Sequence, residues 1–211
     1  MFLPGTSKEI ATAKRGVIVA VDLGFSKASK STGIATLSPG KKVLVEKQTF
    51  ANSIESVAKL FIEASPNTLI LEAPLSSQFN FDGNPSPRQF ETRKDLASGK
   101  VKSRAWYIHA GAATLLAAMF FLRRLRKKLN DSFEGNIFVY EGFHTFKHAS
   151  TDHGRDAQEI LTSFIENGVA DIDAGVATSW VSVLQVLGFG EGNMPSVVLI
   201  NPKRAEMGEA H

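Results

Sequence analysis

Val17 to Leu23 (VIVAVDL) is a mostly β-branched aliphatic run, broken by Asp22 alone, that ends at Gly24. A run without alternation is what a strand covered on both faces requires. Gly33 to Leu37 (GIATL) predicts a second strand after the turn-rich stretch 24–32. Val43 to Phe50 (VLVEKQTF) predicts a third, and its partial alternation fits a half-exposed position. The tight turn Ser38-Pro39-Gly40-Lys41 joins the last two, so the three strands form an antiparallel meander. Ser53 is placed to cap a helix over Ile54 to Ala64, with Ile54, Val57, Leu60 and Phe61 on its apolar face and Pro66-Asn67 at its end. Thr68 to Leu71 (TLIL) then gives a short apolar strand that stops at Glu72-Ala73-Pro74.

A strand–helix–strand crossover in one sheet runs its strands parallel and right-handed. The meander leaves its first strand with one open side, so the TLIL strand docks there. Asp22 and Glu72 then lie near each other at the carboxyl ends of parallel strands, where sites of open α/β sheets gather. Residues 76–103 predict a long polar loop insertion. Beyond it come a helix from Arg104 to about Leu129, a fifth strand, Asn136 to Tyr140, ending at Glu141, helices near Asp156–Glu166 and Ala174–Leu187, and a last strand, Ser196 to Ile200. The expected architecture is one α/β domain over 17–202, with a mixed five-stranded sheet of order 3-2-1-4-5 and helices on both faces. A flexible leader, 1–16, and a tail, 203–211, flank it.

Composition narrows the chemistry. The 211 residues suit a single domain. The chain has no cysteine, so any metal is held by oxygen or imidazole, which points to Mg2+ or Mn2+. A net charge of +3 permits a polyanionic partner without demanding one. Ala105 to Leu122 is uncharged and runs into Arg123-Arg124-Leu125-Arg126-Lys127-Lys128, a pattern a membrane span also shows. Its marginal length, His109 and its small residues favour a helix packed on the sheet, with no membrane partner. The basic cluster itself reads as cations complementing a helix carboxyl end, with a nucleic-acid backbone as the sharper alternative. Residues 1–16 lack the apolar stretch of a secretory signal, so a cytoplasmic location is expected.

Asp22, Glu72 and Glu141 interrupt apolar strand contexts. A carboxylate there is costly unless it is paired, hydrogen-bonded or bound to a cation. Asp22 and Glu72 at the ends of adjacent central strands favour a metal site, with Glu141 a further ligand candidate. A third acid is expected from a helix passing the same edge, with Asp173, Asp171, Asp156 and Asp152 as candidates and Asp173 favoured. Asp173 precedes an apolar helix pattern, although an acid in a first turn also suits the helix dipole alone. His144, His148 and His153 fall near the last acids at irregular spacing and read as surface or supporting groups.

The order of elements, with Asp22 in the first strand and Glu72 closing the fourth, resembles the ribonuclease-H-like superfamily. Within it the chain looks most like a nuclease-like family known as domain of unknown function four-two-nine. The likeness rests on Val21-Asp22-Leu23-Gly24, Glu72-Ala73-Pro74-Leu75, Pro87-Arg88-Gln89-Phe90-Glu91-Thr92-Arg93, Val139-Tyr140-Glu141 and Asp173-Ala174, spread from about Val17 to Pro202. The pair Asp156-Ala157 competes with Asp173-Ala174 for the last acid, and Asp152 with Asp156 imitates the acid pair of the more distant Holliday-junction resolvases. The resemblance implies metal-dependent phosphodiester hydrolysis, with Asp22, Glu72 and Asp173 holding Mg2+ or Mn2+. Arg88, Arg93, Lys94 and Lys27 would meet the phosphate of a DNA or RNA partner. A homodimer is compatible with this reading. Val21-Asp22-Leu23-Gly24-Phe25-Ser26 also resembles the first phosphate loop of actin-like kinases, although 211 residues leave no room for that fold's second copy. A non-catalytic binding module is the remaining alternative.

Overall fold

A computed structural model of the chain describes residues 1–26, 29–94, 101–103, 110–130, 133–144, 152–172, 179–189 and 194–200; for 89, 93, 94, 101–103 and 110 it describes the backbone alone. In chain order the elements are β1 (Phe2–Pro4), α1 (Ile10–Ala13), β2 (Val17–Asp22), β3 (Thr32–Leu37), β4 (Leu44–Gln48), α2 (Phe50–Ile62), β5 (Asn67–Glu72), β6 (Ser76–Phe79), β7 (Pro85–Ser86), β8 (Thr92–Lys94), β9 (Val101–Ser103), α3 (Ala110–Leu129), β10 (Ile137–His144), α4 (His153–Asn167), β11 (Ser179–Ser182), α5 (Val183–Val186) and β12 (Val197–Ile200).

The molecule is α/β, built on a mixed sheet of seven strands. Its order is β1-β10-β5-β2-β3-β4, with β12 also on β10. Strands β2, β5 and β10 run parallel, and β3 and β4 complete an antiparallel meander on β2. All six residues of β2 are buried, as its continuous apolar run requires. Its alternate side chains feed two cores. Val19 and Val21 join Leu69, Leu71 and Val139 beneath α2 and α3. Ile18 and Ala20 join Ile70 and Tyr140 beneath Ala157, Ile160, Leu161 and Phe164 of α4.

Local chemistry sets the boundaries. Thr49 rather than Ser53 caps α2, so that helix begins at Phe50; Ser53 instead turns its hydroxyl back to the carbonyl of Phe50. Asn67 opens β5 and closes α2 at once, its amide donating to the carbonyls of Phe61 and Ala64 at 2.9 and 2.8 Å. Asn130, in the left-handed region at φ 56°, stops α3. Among the described residues no helix is long and apolar enough to cross a membrane.

Four expectations are corrected. The sheet has seven strands, not five, because both ends of the described chain enter it. Residues 1–16 are not a loose leader: β1 pairs with the first half of β10, and Phe2 is buried against Phe189 at 5.0 Å between rings. Thr68 also donates to the carbonyl of Ala13 at 2.9 Å, tying α1 down. The insertion 76–103 is not structureless, since β6, β7, β8 and β9 lie within it. The helix expected at 174–187 is replaced, over its described part, by β11 and the single turn α5, because Ser179–Ser182 pairs antiparallel with Ser76–Phe79. The tail 203–211 lies outside the described residues.

Asp171 fastens the amino-terminal segment. Its carboxylate accepts the backbone N–H of Ser7 at 2.9 Å and the hydroxyls of Ser7 and Ser196. Partial burial works against this charge, but the bonds from Ser196 and Ser7 outweigh it and hold the carboxyl below its ordinary 3.8. A carboxyl depressed on folding stabilises fully above its unfolded value, and that contribution is lost as pH falls through the folded value. Asp171→Asn is therefore expected to melt earlier than wild type near neutral pH, with the gap closing once pH drops below 3.8. Thermal melts across pH check this, and a constant gap at every pH would discount the carboxylate.

Candidate metal centre

The parallel register places Asp22 of β2 directly beside Glu72 of β5, at the carboxyl ends of both strands. They share the sheet face that carries Ile18, Ala20 and Ile70, the face that α4 covers. Asp22 and Glu72 are 5% and 7% exposed, so neither is a solvated strand-end acid.

Helix α4 brings the third carboxylate. Asp152 caps it, accepting the N–H groups of Gly154 and Arg155 at 2.8 and 3.4 Å, and Lys47 of β4 holds that cap at 3.0 Å. The first turn is thereby pinned to the sheet. Gly33 of β3 makes the approach possible: a Cβ there would lie 1.8 Å from the carbonyl oxygen of His153. From this start, the spacing of His153, Asp156 and Glu159 puts all three on one side of the helix, facing the strand ends.

Donor atoms of Asp22, Glu72 and Asp156 all lie within 4.8 Å of one another. A second group, His144, Asp156 and Glu159, meets the same condition, so Asp156 belongs to both. Imidazoles brace the acids. His153 Nδ1 stands 2.7 Å from Asp22 Oδ2, and His144 Nδ1 3.2 Å from Glu72 Oε1. His144 Nε2 reaches Glu159 at 3.3 Å. Three buried acids side by side repel unless positive charge intervenes, and carboxylate oxygens with an imidazole at hand are a donor set suited to Mg2+ or Mn2+.

Glu141 is not part of this cluster, which corrects its assignment as a metal ligand. It pairs in register with Leu71, one position out of phase with Glu72, and so faces the opposite side of the sheet. There it is fully buried against Arg88, with Nη2 to Oε1 at 2.6 Å and Nη1 to Oε2 at 2.8 Å, while the N–H of Leu75 donates to Oε2 at 2.9 Å. Arg88 also donates to Glu91 at 2.7 Å and to Ser76 at 2.9 Å. At 2% exposure Arg88 cannot meet a phosphate in solution, so its assignment to substrate is corrected as well. Burial opposes the guanidinium charge, but Glu141 and Glu91 overcome it and hold Arg88 above its ordinary value. Burial likewise pushes the Glu141 carboxyl up while Arg88 draws it back, and two hydrogen bonds between them describe an ion pair.

Asp173 and Lys27 lie outside the described residues, as do the side chains of Arg93 and Lys94. Asp171 and Asp152 serve the folding roles given above. His144 and His153, expected only as surface or supporting groups, stand against Glu72 and Asp22, while Glu159 in the cluster and Glu91 as the partner of Arg88 had no place in the expectation. The alternation Phe138, Tyr140, Gly142, His144 along β10 and the three-residue steps along α4 were the signals for them. No family model, no curated protein and no solved structure matches this chain.

Proposed function

We propose that this chain hydrolyses phosphodiester bonds of nucleic acid at a divalent-cation site held by Asp22, Glu72 and Asp156, on a ribonuclease-H-like arrangement of strands. The observation that supports the reading is the convergence of three buried carboxylates, from β2, β5 and α4, within 4.8 Å. A cation bound there supplies the positive charge that a phosphoryl transition state needs. The chain's own groups do the rest. His153 and His144 fix the orientation of Asp22 and Glu72, as outer-shell partners of ligating carboxylates do. Arg155, highly exposed and bonded to Glu159 at 3.0 Å, puts a positive charge beside the cluster, where a phosphate backbone is attracted.

Thermal melts with increasing MnCl2, on wild type and Asp22→Asn, test the site apart from activity. Mn2+ is expected to raise the wild-type melting temperature and to leave Asp22→Asn unmoved. Without metal, the variant is expected to melt at or above wild type, because one of three clustered charges is gone. Single- and double-stranded DNA and RNA, offered with Mg2+ or Mn2+, should be cut by wild type alone. Equal Mn2+ shifts in both proteins would remove Asp22 from the site. A metal shift without cleavage of any of the four substrates would leave a binding module in place of a nuclease.

A further inference from the structure

Strand β4 ends the sheet, and among the described residues no strand pairs with its outer edge. Edge strands are normally blunted, because exposed backbone N–H and C=O groups template pairing with another chain. This one is apolar at its start and just before it. Val43, Leu44 and Val45 are 36%, 57% and 36% exposed, and no proline interrupts 43–48. Helix α4 touches β4 with its first turn, where Gly154 lies against Val45 and Lys47. Leu44 and Glu46 point the other way, since side chains alternate along a strand.

We propose that two copies of this chain pair antiparallel along the first half of β4 and the two residues before it, about a twofold axis at Leu44, to form one sheet running through both. The edge is complementary to itself in that register. Leu44 meets Leu44 of the second copy, Lys42 meets Glu46 in both directions on the same face, and Val43 meets Val45 on the other. Sliding by one residue sets Lys42 against Lys47 and Val43 against Glu46. Centring on Val45 instead sets Leu44 against Glu46 and leaves Lys42 without an acid. The remaining like-charge meeting, Lys41 with Lys47, is defused at both ends. Lys41 sits in the turn closed by its N–H to Ser38, outside the ladder, and Lys47 is held by Asp152 at 3.0 Å.

Two measurements on the full chain test this. Leu44→Cys creates a lone thiol, since the chain has no cysteine. At the axis, two such residues lie about 4.5–5.5 Å apart between Cα atoms, inside the range that a disulfide spans. Val45→Cys puts its two thiols on a diagonal of about 7–8 Å, beyond that range. Mild oxidation is expected to cross-link Leu44→Cys in most molecules and to spare Val45→Cys. Sedimentation should then show a wild-type dimer, monomers for Lys42→Glu and for Glu46→Lys, and a restored dimer when both changes share one chain. Lys42, Leu44 and Glu46 are exposed and lie clear of the cores, so circular dichroism of the variants should match wild type. A monomeric wild type, equal cross-linking at 44 and 45, or a double variant no more dimeric than the singles would each overturn the proposal.

Discussion

Arg88→Met is expected to cost about 3–5 kcal/mol of folding stability, the penalty of leaving a buried charge uncompensated. The substitution keeps much of the side chain's volume and removes the guanidinium alone. Glu141, completely buried, then loses both bonds from Arg88 and keeps only the N–H of Leu75. Glu91 loses its bond from Nη2 but still accepts the backbone N–H of residue 88. The dependence on pH follows from the sign of the change. With no cation to oppose burial, the folded carboxyl of Glu141 sits further above its ordinary 4.5. A folded state that binds its proton more tightly than the unfolded state loses stability as pH rises above that unfolded value. The variant should therefore be closest to wild type in acid and fall away towards neutral pH. Adding Glu141→Gln removes the orphaned charge while keeping an acceptor for Leu75, and much of the loss should return. Denaturant melts of the single and double variants at two pH values are the measurement. A variant with unchanged stability and weakened nucleic-acid binding would instead restore Arg88 to the substrate.

That contrast shows where a linear reading loses information. An arginine on a polar stretch after an acid-tipped strand has the same sequence signature whether it meets a phosphate or a buried carboxylate. The register decides, and register depends on counting along β10 from a starting point that only pairing supplies. With the fifth strand taken to stop at Tyr140, Glu141 looks like another acid at a strand end, equivalent to Glu72. Because β10 runs on to His144, Glu141 falls inside the strand, one step out of phase, and its parity sends it to the opposite face. The pairing of Asp22 with Glu72 was legible for the converse reason. A doubly buried run, a short meander and one right-handed crossover leave few arrangements that bury VIVAV and TLIL together. The amino-terminal strand was not legible. Three residues, Phe2 to Pro4, give no period to read, and they become a strand only because β10 offers them an edge.

Gly33→Ala is expected to separate the carboxylates without removing any of them. The pattern GIATL gives no hint that the strand's first glycine is the point where α4 lands. The new methyl would meet the carbonyl oxygen of His153 at 1.8 Å, its carbon at 2.1 Å and the nitrogen of Gly154 at 2.6 Å, all of them backbone atoms that no rotamer change relieves. The first turn of α4 must lift, and Asp156 and His153 lift with it from Asp22 and Glu72. Overpacking of this kind costs about 1–3 kcal/mol, and the larger consequence falls on the metal, because an ion's affinity depends on donor spacing. Mn2+ should no longer raise the melting temperature of the variant. Phe164→Ala separates the two effects. Phe164 is buried against Tyr140 at 5.0 Å, near the far end of the same helix, and its loss should cost about 3–5 kcal/mol. That protein starts less stable than Gly33→Ala yet keeps the capped first turn, so its Mn2+ shift should survive. If both variants respond to Mn2+ alike, the approach of α4 at Gly33 does not set the spacing of the acids, and the cation is held by groups elsewhere.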